Sequence, residues 1–238
     1  MRTIVLGDTH GRDAFKVIIN NEKWDRVIFI GDYFDSFDIP AEKQISNFQD
    51  IMQFKRDNID KVVCLLGNHC FHYLHGAYED YSGFQRKYAG AIGALFADAL
   101  ADNLLQYAHS YKHFLFTHAG VSKYWLDSTG YTPDDGNIIE WINQLNLKHF
   151  RFNMGVNFSP YGDDICQGPL WIRPASLLKD GLKDWTHVVG HTGMEKIQFK
   201  DNCIFTDTLG HSGEYLIIDE DEDGNITTNV NSYKNFLT

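Results

Sequence analysis

The sequence predicts an α/β protein in which mixed β-sheets are covered by helices. Short apolar segments rich in β-branched residues predict strands at Thr3–Leu6, Val27–Ile30, Val62–Leu66, Phe114–Phe116, His187–Val189, Cys203–Phe205 and Tyr215–Ile218. Segments of helical character separate the first three of these strands. Because strand and helix alternate there, we expect βαβ units with parallel strand pairing in that part of the chain.

Two of the connecting segments have a clear helical pattern. Pro40 suits the first turn of a helix, and the apolar residues after it fall at helical spacings: Ile45, Phe48, Ile51 and Met52. The segment 83–105 is rich in Ala and Leu and predicts a second helix. The last strands are closely spaced, which predicts that hairpins complete a second sheet, with Asp223 and Gly224 in the bend of one hairpin.

Size and composition indicate one globular domain over 1–238, with a substantial core, because 43% of the 238 residues are hydrophobic. No apolar run approaches the ~20 residues that span a bilayer, so we expect no membrane partner. A strand predicted from Thr3 leaves no room for a signal peptide, and the four cysteines form no C-x-x-C pair, so we expect a cytoplasmic protein. The formal charge of −11 disfavours nucleic acid as a partner.

Polar residues follow five of the predicted strands. The segments are GDTHG, GDYFDSFD, GNHC, THAG and GHTG, in that order along the chain. In open α/β sheets, ligands bind outside the carboxyl ends of the strands, so these segments should converge on one edge. The candidate ligands that they contribute are Asp8, His10, Asp32, Asn68, His118 and His191.

Carboxylate and amide oxygens combined with imidazoles suit Mn²⁺, Fe or Zn²⁺ better than Ca²⁺ or Mg²⁺. Six ligands exceed the needs of one catalytic zinc, whereas two metal ions that share a carboxylate would use all six. The alternative is that the Asp and Asn residues are ordinary turn residues and that His10 and His191 lie on the surface. The joint pattern favours the metal site.

The ordered series D-x-H, G-D-x-x-D, G-N-H, H and G-H resembles the calcineurin-like metallophosphoesterase superfamily. It is most similar to the phosphoprotein phosphatase branch, which includes serine/threonine phosphatases, bacterial diadenosine tetraphosphatases and bacteriophage phosphatases. The resemblance implies a four-layer α-β-β-α sandwich of two mixed sheets flanked by helices. It also implies two divalent metal ions, with Mn²⁺ expected first and Fe, Zn²⁺ or Ni²⁺ as alternatives.

The resemblance implies a role for each candidate residue. The first metal would be held by Asp8, His10 and Asp32, and Asp32 would bridge to a second metal, completed by the remaining ligands: Asn68, His118 and His191. A metal-bridging hydroxide would attack phosphorus directly. His69 would protonate the leaving oxygen, with Asp35 orienting it, and Arg173 in PLWIRP would bind phosphate. The alternatives are a loop role for Asp35 and a surface ion pair for Arg173.

Three positions depart from the family pattern. Ser36 stands where GDYVDRG has arginine, Gly193 where G-H-x-H has its last histidine, and Cys70 where an acidic residue usually follows G-N-H. We interpret Cys70 as a residue that does not bind metal. The aromatic-rich segment 134–168 is predicted to be an insertion that overhangs the cleft and shapes specificity.

The expected reaction is therefore hydrolysis of a phosphate monoester, and the expected partner is a phosphorylated substrate. A serine/threonine protein phosphatase is the first hypothesis, because the motifs are most similar to that branch. A hydrolase of dinucleoside polyphosphates or other nucleotides is the second. A nucleic-acid phosphoesterase and a non-catalytic interaction protein stay as weaker alternatives, and the sequence does not predict an oligomeric state.

Overall fold

The computed structural model describes residues 1–76 and 80–237. The strands of this part are β1 (Arg2–Leu6), β2 (Arg26–Phe29), β3 (Val62–Cys64), β4 (Ala108–Tyr111), β5 (Phe114–Thr117), β6 (Thr186–Val189), β7 (Gln198–Lys200), β8 (Cys203–Phe205), β9 (Glu214–Glu220) and β10 (Ile226–Ser232). The α-helices are α1 (Ala14–Asn21), α2 (Ala41–Asp57), α3 (Asn68–Phe71), α4 (Ala89–Ala101), α5 (Lys123–Ser128), α6 (Ile138–Gln144) and α7 (Pro174–Asp180). Short 3₁₀ turns lie at Arg86–Tyr88, Pro133–Asp135, Leu147–Phe150 and Tyr233–Phe236.

The strands form two mixed sheets of five strands each. The first has the order β10-β9-β1-β2-β3, in which β1, β2 and β3 are parallel and β9 and β10 are antiparallel to their neighbours. The second has the order β4-β5-β6-β8-β7, with a parallel centre of β5, β6 and β8. The predicted class, two mixed sheets flanked by helices, is confirmed.

Side-chain alternation along the strands builds the layers. Val5 and Ile28 of the first sheet pack with Phe116 and Val188 of the second, in a buried cluster between the sheets. The alternate residues face outward into a larger cluster with the helices, to which β1 contributes Ile4 and Leu6. Burying a side chain of this size stabilises the fold by about 1.5–3 kcal/mol, so the alternation fixes which face of each strand is covered.

The predicted helices and strands differ from the structure in several places. The third predicted strand ends at Cys64 rather than Leu66, and the helix predicted over 83–105 covers only Ala89–Ala101. Strands β4 and β7 were not predicted, because β4 is half polar and β7 is fully exposed. The hairpin at Asp223 and Gly224 is confirmed.

One prediction about sheet assignment is wrong. The segment of β9 was expected to complete the second sheet, but β9 pairs with β1 and brings β10 with it into the first. In the first sheet β9 pairs with β1, with Leu216 opposite Val5, and Leu216 and Ile218 pack in the cluster between the sheets.

The segment 134–168 contains α6, a 3₁₀ turn and an irregular stretch after Phe150. Its interpretation as an insertion over the cleft stays a prediction. Within residues 1–76 and 80–237, no helix is both long and apolar enough to cross a membrane.

Candidate metal and phosphate site

The predicted ligands meet at the carboxyl ends of the parallel strands, as the order of the motifs requires. The two neighbouring ends of β5 and β6 bring His118 and His191 together, with ring centroids 5.1 Å apart. Across the gap between the sheets, Asp8 and Asp32 follow β1 and β2, and Asn68 follows β3. One edge of the sandwich therefore collects donors from both sheets.

Four donor atoms of these residues lie within reach of one cation. Asn68 Oδ1 is 2.9 Å from both His118 Nε2 and His191 Nδ1. The same His118 nitrogen is 3.2 Å from Asp32 Oδ2. This group matches the second metal of the resemblance, although its role as a metal site stays a prediction.

The donors expected for the first metal lie beside this group. His10 Nε2 is 4.0 Å from Asp8 Oδ2, and the backbone N–H of His191 donates to both Asp8 oxygens at 3.0 and 3.2 Å. Ligand atoms of Asp8, Asp32 and His118 lie within 4.8 Å of one another. Asp32 thus borders both groups, which is the position a bridging carboxylate requires.

Each of the three imidazoles uses one ring nitrogen to donate to a backbone carbonyl. His10 Nδ1 donates to the carbonyl of Phe34 at 2.5 Å and His118 Nδ1 to that of Ile30 at 3.1 Å. His191 Nε2 donates to the carbonyl of Trp171 at 3.1 Å. The other nitrogen of His10 faces the Asp8 carboxylate. Those of His118 and His191 both face Asn68 Oδ1, and that of His118 also faces Asp32. Metal-ligating histidines are fixed in this way, so the chemistry of the donor set fits divalent cations.

The carboxyl groups of the site are buried close together, which is unfavourable without a cation. Burial, with Asp207 and Asp32 nearby, raises the pKa of Asp8 well above its usual value. Burial alone would also raise the pKa of Asp32, but the neighbouring imidazoles of His118 and His69 outweigh this effect and hold that pKa well below its usual range. A bound cation would relieve this repulsion directly.

Asp207 belongs to this cluster, although its segment resembles only an architectural part of the family. It follows β8, its carboxyl raises the pKa of Asp8, and burial raises its own pKa. The signal that could have identified it is its position two residues after Phe205, because every other ligand candidate follows a strand in the same way.

His69 and Asp35 form a hydrogen-bonded pair beside the metal candidates. His69 Nδ1 donates to Asp35 Oδ2 at 2.8 Å, and the backbone N–H of His69 donates to Asp32 Oδ1 at 2.8 Å. Burial alone would lower the pKa of His69, but Asp32 and Asp35 outweigh it, so the pKa is raised. A raised pKa keeps the imidazole protonated and able to donate a proton.

Arg173 lies beside His191 at the rim of the site. Its Nη1 donates to the His191 carbonyl at 3.2 Å and to Thr192 Oγ1 at 3.1 Å, and its Nε donates to the Tyr161 carbonyl at 2.8 Å. Burial lowers its pKa, while the Asp8 carboxylate acts in the opposite direction. These bonds hold the guanidinium next to the candidate metal ligands.

The three departures from the family pattern each have a structural context. Ser36 Oγ accepts the backbone N–H groups of Asp38 and Ile39, so it forms a local turn before α2. Cys70 is fully buried in the core, and burial raises the pKa of its thiol well above the usual value, while its interpretation as a residue that does not bind metal stays a prediction. Gly193 lies opposite His211, whose Nε2 would be 3.3 Å from a Cβ at residue 193.

Backbone strain concentrates at this edge of the sandwich. Four candidate site residues have positive φ values: His10 at 42°, Asp32 at 47°, Asp35 at 71° and His191 at 64°. Non-glycine residues in this region cost about 1–3 kcal/mol each and persist where the surroundings over-determine them. Four other described residues with positive φ are not candidate site residues, so the strain by itself assigns no role: Asn103, Lys112, Phe158 and Asp201.

The sequence decides the family. A profile of the calcineurin-like phosphoesterase family matches residues 1–220. The chain belongs to the calcineurin-like phosphoesterases. This phosphoesterase is therefore a phosphoric ester hydrolase of a family that uses divalent metals.

Two solved structures are similar to this phosphoesterase in fold. A protein serine/threonine phosphatase from Saccharomyces cerevisiae has a TM-score of 0.59 and 16% identity, and the match covers 98% of this chain and 80% of the yeast chain. A metallophosphoesterase from Sphaerobacter thermophilus has a TM-score of 0.46 and 12% identity, with 98% and 89% of the two chains covered. No curated protein matches the sequence. The yeast protein supports the shared sandwich fold.

Proposed function

We propose that this phosphoesterase hydrolyses phosphate monoesters with two divalent cations held by the six predicted ligands. The observation that carries the proposal is the shared orientation of His10, His118 and His191, each with one nitrogen bonded to a backbone carbonyl and the other facing an oxygen of another candidate ligand. Such second partners orient histidines for metals. Mixed oxygen and imidazole donors suit Mn²⁺, Fe or Zn²⁺, of which we propose Mn²⁺.

The protein's own residues would divide the work around those cations. When bound, two cations would lower the pKa of water to about 7 and neutralise phosphate charge. Asp8, His10 and Asp32 would hold one cation, and Asp32 would share the second with the remaining ligands: Asn68, His118 and His191. This division follows from the position of Asp32 beside both groups.

His69 would donate a proton to the leaving oxygen, with Asp35 holding the imidazole by its Nδ1. Its raised pKa supports an acid role at neutral pH. Arg173 would bind a phosphate oxygen, because its guanidinium is anchored at His191 and suits that geometry. Ser36 supplies no such contact, so Arg173 would be the main phosphate-binding cation.

For the substrate we propose a serine or threonine phosphate in a protein. The motifs of the phosphoprotein phosphatase branch support this choice, as does the fold shared with the yeast serine/threonine phosphatase. Tyr161, whose carbonyl accepts from Arg173, is 79% exposed, and Phe158, close to it in the chain, is 76% exposed, so these side chains offer apolar surface to a polypeptide. Both lie in the segment 134–168, which supports its proposed role in specificity.

A dinucleoside polyphosphate is the second candidate substrate. The specific observation in its favour is the exposed ring of Tyr161, whose carbonyl accepts from Arg173. A base could stack on that ring while a phosphate meets the guanidinium.

We also propose that residues 1–238 form a single domain and that the protein is located in the cytoplasm. The four cysteines are free, which supports a reducing compartment.

A Mn²⁺-supplemented screen tests the function. The substrates are p-nitrophenyl phosphate, its bis ester, phosphoserine peptides and dinucleoside polyphosphates. We expect turnover of the monoesters, and activity confined to the anhydrides would transfer the proposal to the second candidate. In the variants, Asp32→Asn should lose metal and activity, whereas His69→Gln should lose activity alone. Two equivalents of metal with full turnover in the Asp32 variant would contradict the dinuclear site.

A further inference from the structure

We propose that His72 is a positioning residue that holds Asp35, and through it His69, in the geometry that protonates the leaving group. This inference rests on the proposed acid role of His69. His72 matches no ligand position of the family pattern, so the sequence alone does not select it. The structure places its side chain, which is completely buried, directly against Asp35.

Three donors surround the buried carboxylate of Asp35. His69 Nδ1 is 2.8 Å and His72 Nε2 is 2.7 Å from the same oxygen, Oδ2. The Tyr73 hydroxyl donates to Oδ1 at 2.5 Å. Burial alone would raise the pKa of Asp35, but these three donors lower it, so the carboxylate stays charged. The two histidines thus share one oxygen, and that oxygen sets where the His69 ring points.

Hydrogen bonding fixes the tautomer of His72. The backbone N–H of Tyr81 donates to His72 Nδ1 at 3.1 Å, so Nδ1 is the acceptor and Nε2, the nitrogen beside Asp35, carries the proton. The ring stacks on Tyr81 at 5.4 Å and 16°, and its other neighbours meet it edge-on: Tyr73 at 4.5 Å and Phe84 at 4.8 Å. These contacts prevent the ring from turning its other nitrogen toward the carboxylate.

The same tautomer argues against a third metal. Asp35, His69 and His72 have ligand atoms close enough for one cation. However, the Nδ1 lone pair of His72 is occupied by Tyr81, and its Nε2 has a hydrogen instead of a lone pair. The cluster is therefore an array of donors around a carboxylate.

The contact between His72 and Asp35 is close but bent. Although Nε2 and Oδ2 are 2.7 Å apart, the direction of the N–H does not meet the geometry of a hydrogen bond, and within the described residues this nitrogen has no hydrogen-bond partner. Because a buried donor without a partner is costly, the His72 N–H favours a charged Asp35 oxygen beside it. Without it, Asp35 would keep fewer restraints and could turn away from His69.

Kinetics with two leaving groups test the proposal. The variants are His72→Phe, which removes the donor but keeps an aromatic ring, and His72→Gln, which keeps an N–H. We expect His72→Phe to lower kcat for phenyl phosphate about tenfold or more, because phenolate needs a proton to leave. The kcat for 2,4-dinitrophenyl phosphate should stay within about twofold, and His72→Gln should recover part of the loss.

His75→Gln is the matched control, since His75 is exposed and lies three residues further along. It should leave both substrates unchanged. An equal loss on both substrates in His72→Phe would indicate a structural role and overturn the proposal, as would no loss on either.

A measurement that needs no turnover separates this inference from the proposed function. In ¹⁵N-labelled parent protein, the His72 signal, assigned by its loss in His72→Gln, should show Nε2 protonated and Nδ1 bare. A protonated Nδ1 overturns the inference even if the enzyme is active. Failure of the parent to hydrolyse either aryl phosphate refutes the proposed function, while the tautomer still decides whether His72 can hold Asp35.

Discussion

Substituting Gly67 with alanine should disable the candidate metal site while leaving the fold in place. Gly67 has φ −108° and ψ 177°, a backbone conformation that alanine adopts without strain. An added Cβ would, however, lie 2.0 Å from Asp32 Oδ1, whereas contacts under 3.0 Å essentially do not occur. It would also lie 2.6 Å from the Asp32 backbone nitrogen, so the carboxylate must move by about 1 Å and the backbone at Asp32 or at the turn before Asn68 must move as well.

Either movement separates Asp32 from its partners. Its Oδ1 accepts the N–H of His69 at 2.8 Å, and its Oδ2 lies 3.2 Å from His118 Nε2. A displacement of this size in a reacting group lowers the rate about 10²-fold. We expect kcat/KM of Gly67→Ala to fall by that factor and its bound Mn²⁺ to fall below two equivalents, measured by metal analysis after gel filtration.

The control is Gly90→Ala, because a Cβ there meets nothing within 4 Å in the first turn of α4. It should keep full activity and gain about 0.4–1 kcal/mol in the free energy of unfolding, since alanine restricts the unfolded chain. Parent-like metal content and turnover in Gly67→Ala would refute the placement of Asp32 beside Gly67.

Two further predictions concern stability. Burial lowers the pKa of His187 to about 4, so its stabilising contribution is complete above its ordinary value of 6.5 and is lost as the pH falls toward 4. By pH 5 the loss is about 2 kcal/mol. In urea unfolding of chelator-treated protein, the free energy of unfolding should fall between pH 7.5 and 5.0 by about 2 kcal/mol less in His187→Gln than in the parent. The control variant His113→Gln changes an exposed histidine and should match the parent. Equal losses in all three proteins would exclude this role of His187. Removal of the cations by a chelator should lower the Tm by about 5–10 °C, because cations at 100 times their Kd stabilise the folded state by about 2.7 kcal/mol. A Tm that changes with neither Mn²⁺ nor chelator would contradict the metal site.

Much of the candidate site could be read from the sequence because its ligands follow strands directly. A strand that ends in Asp8 or His118 must place that side chain at a sheet edge, wherever the sheet lies. The apolar strands themselves could be predicted because runs of β-branched residues strongly favour β-strands. By contrast, β4 and β7 lack such runs, and their pairing depends on neighbours distant in the chain.

The sequence by itself determined the α/β class, the family and the strand ends that carry the ligands. Only the tertiary structure decided that β9 joins the first sheet, that Asp207 lies against Asp8, and that His72 faces Asp35. The physical reason is the range of the interactions. Periodicity and turn chemistry act within a few residues. The environment of a buried carboxylate, by contrast, is set by packing between segments that are far apart in the sequence.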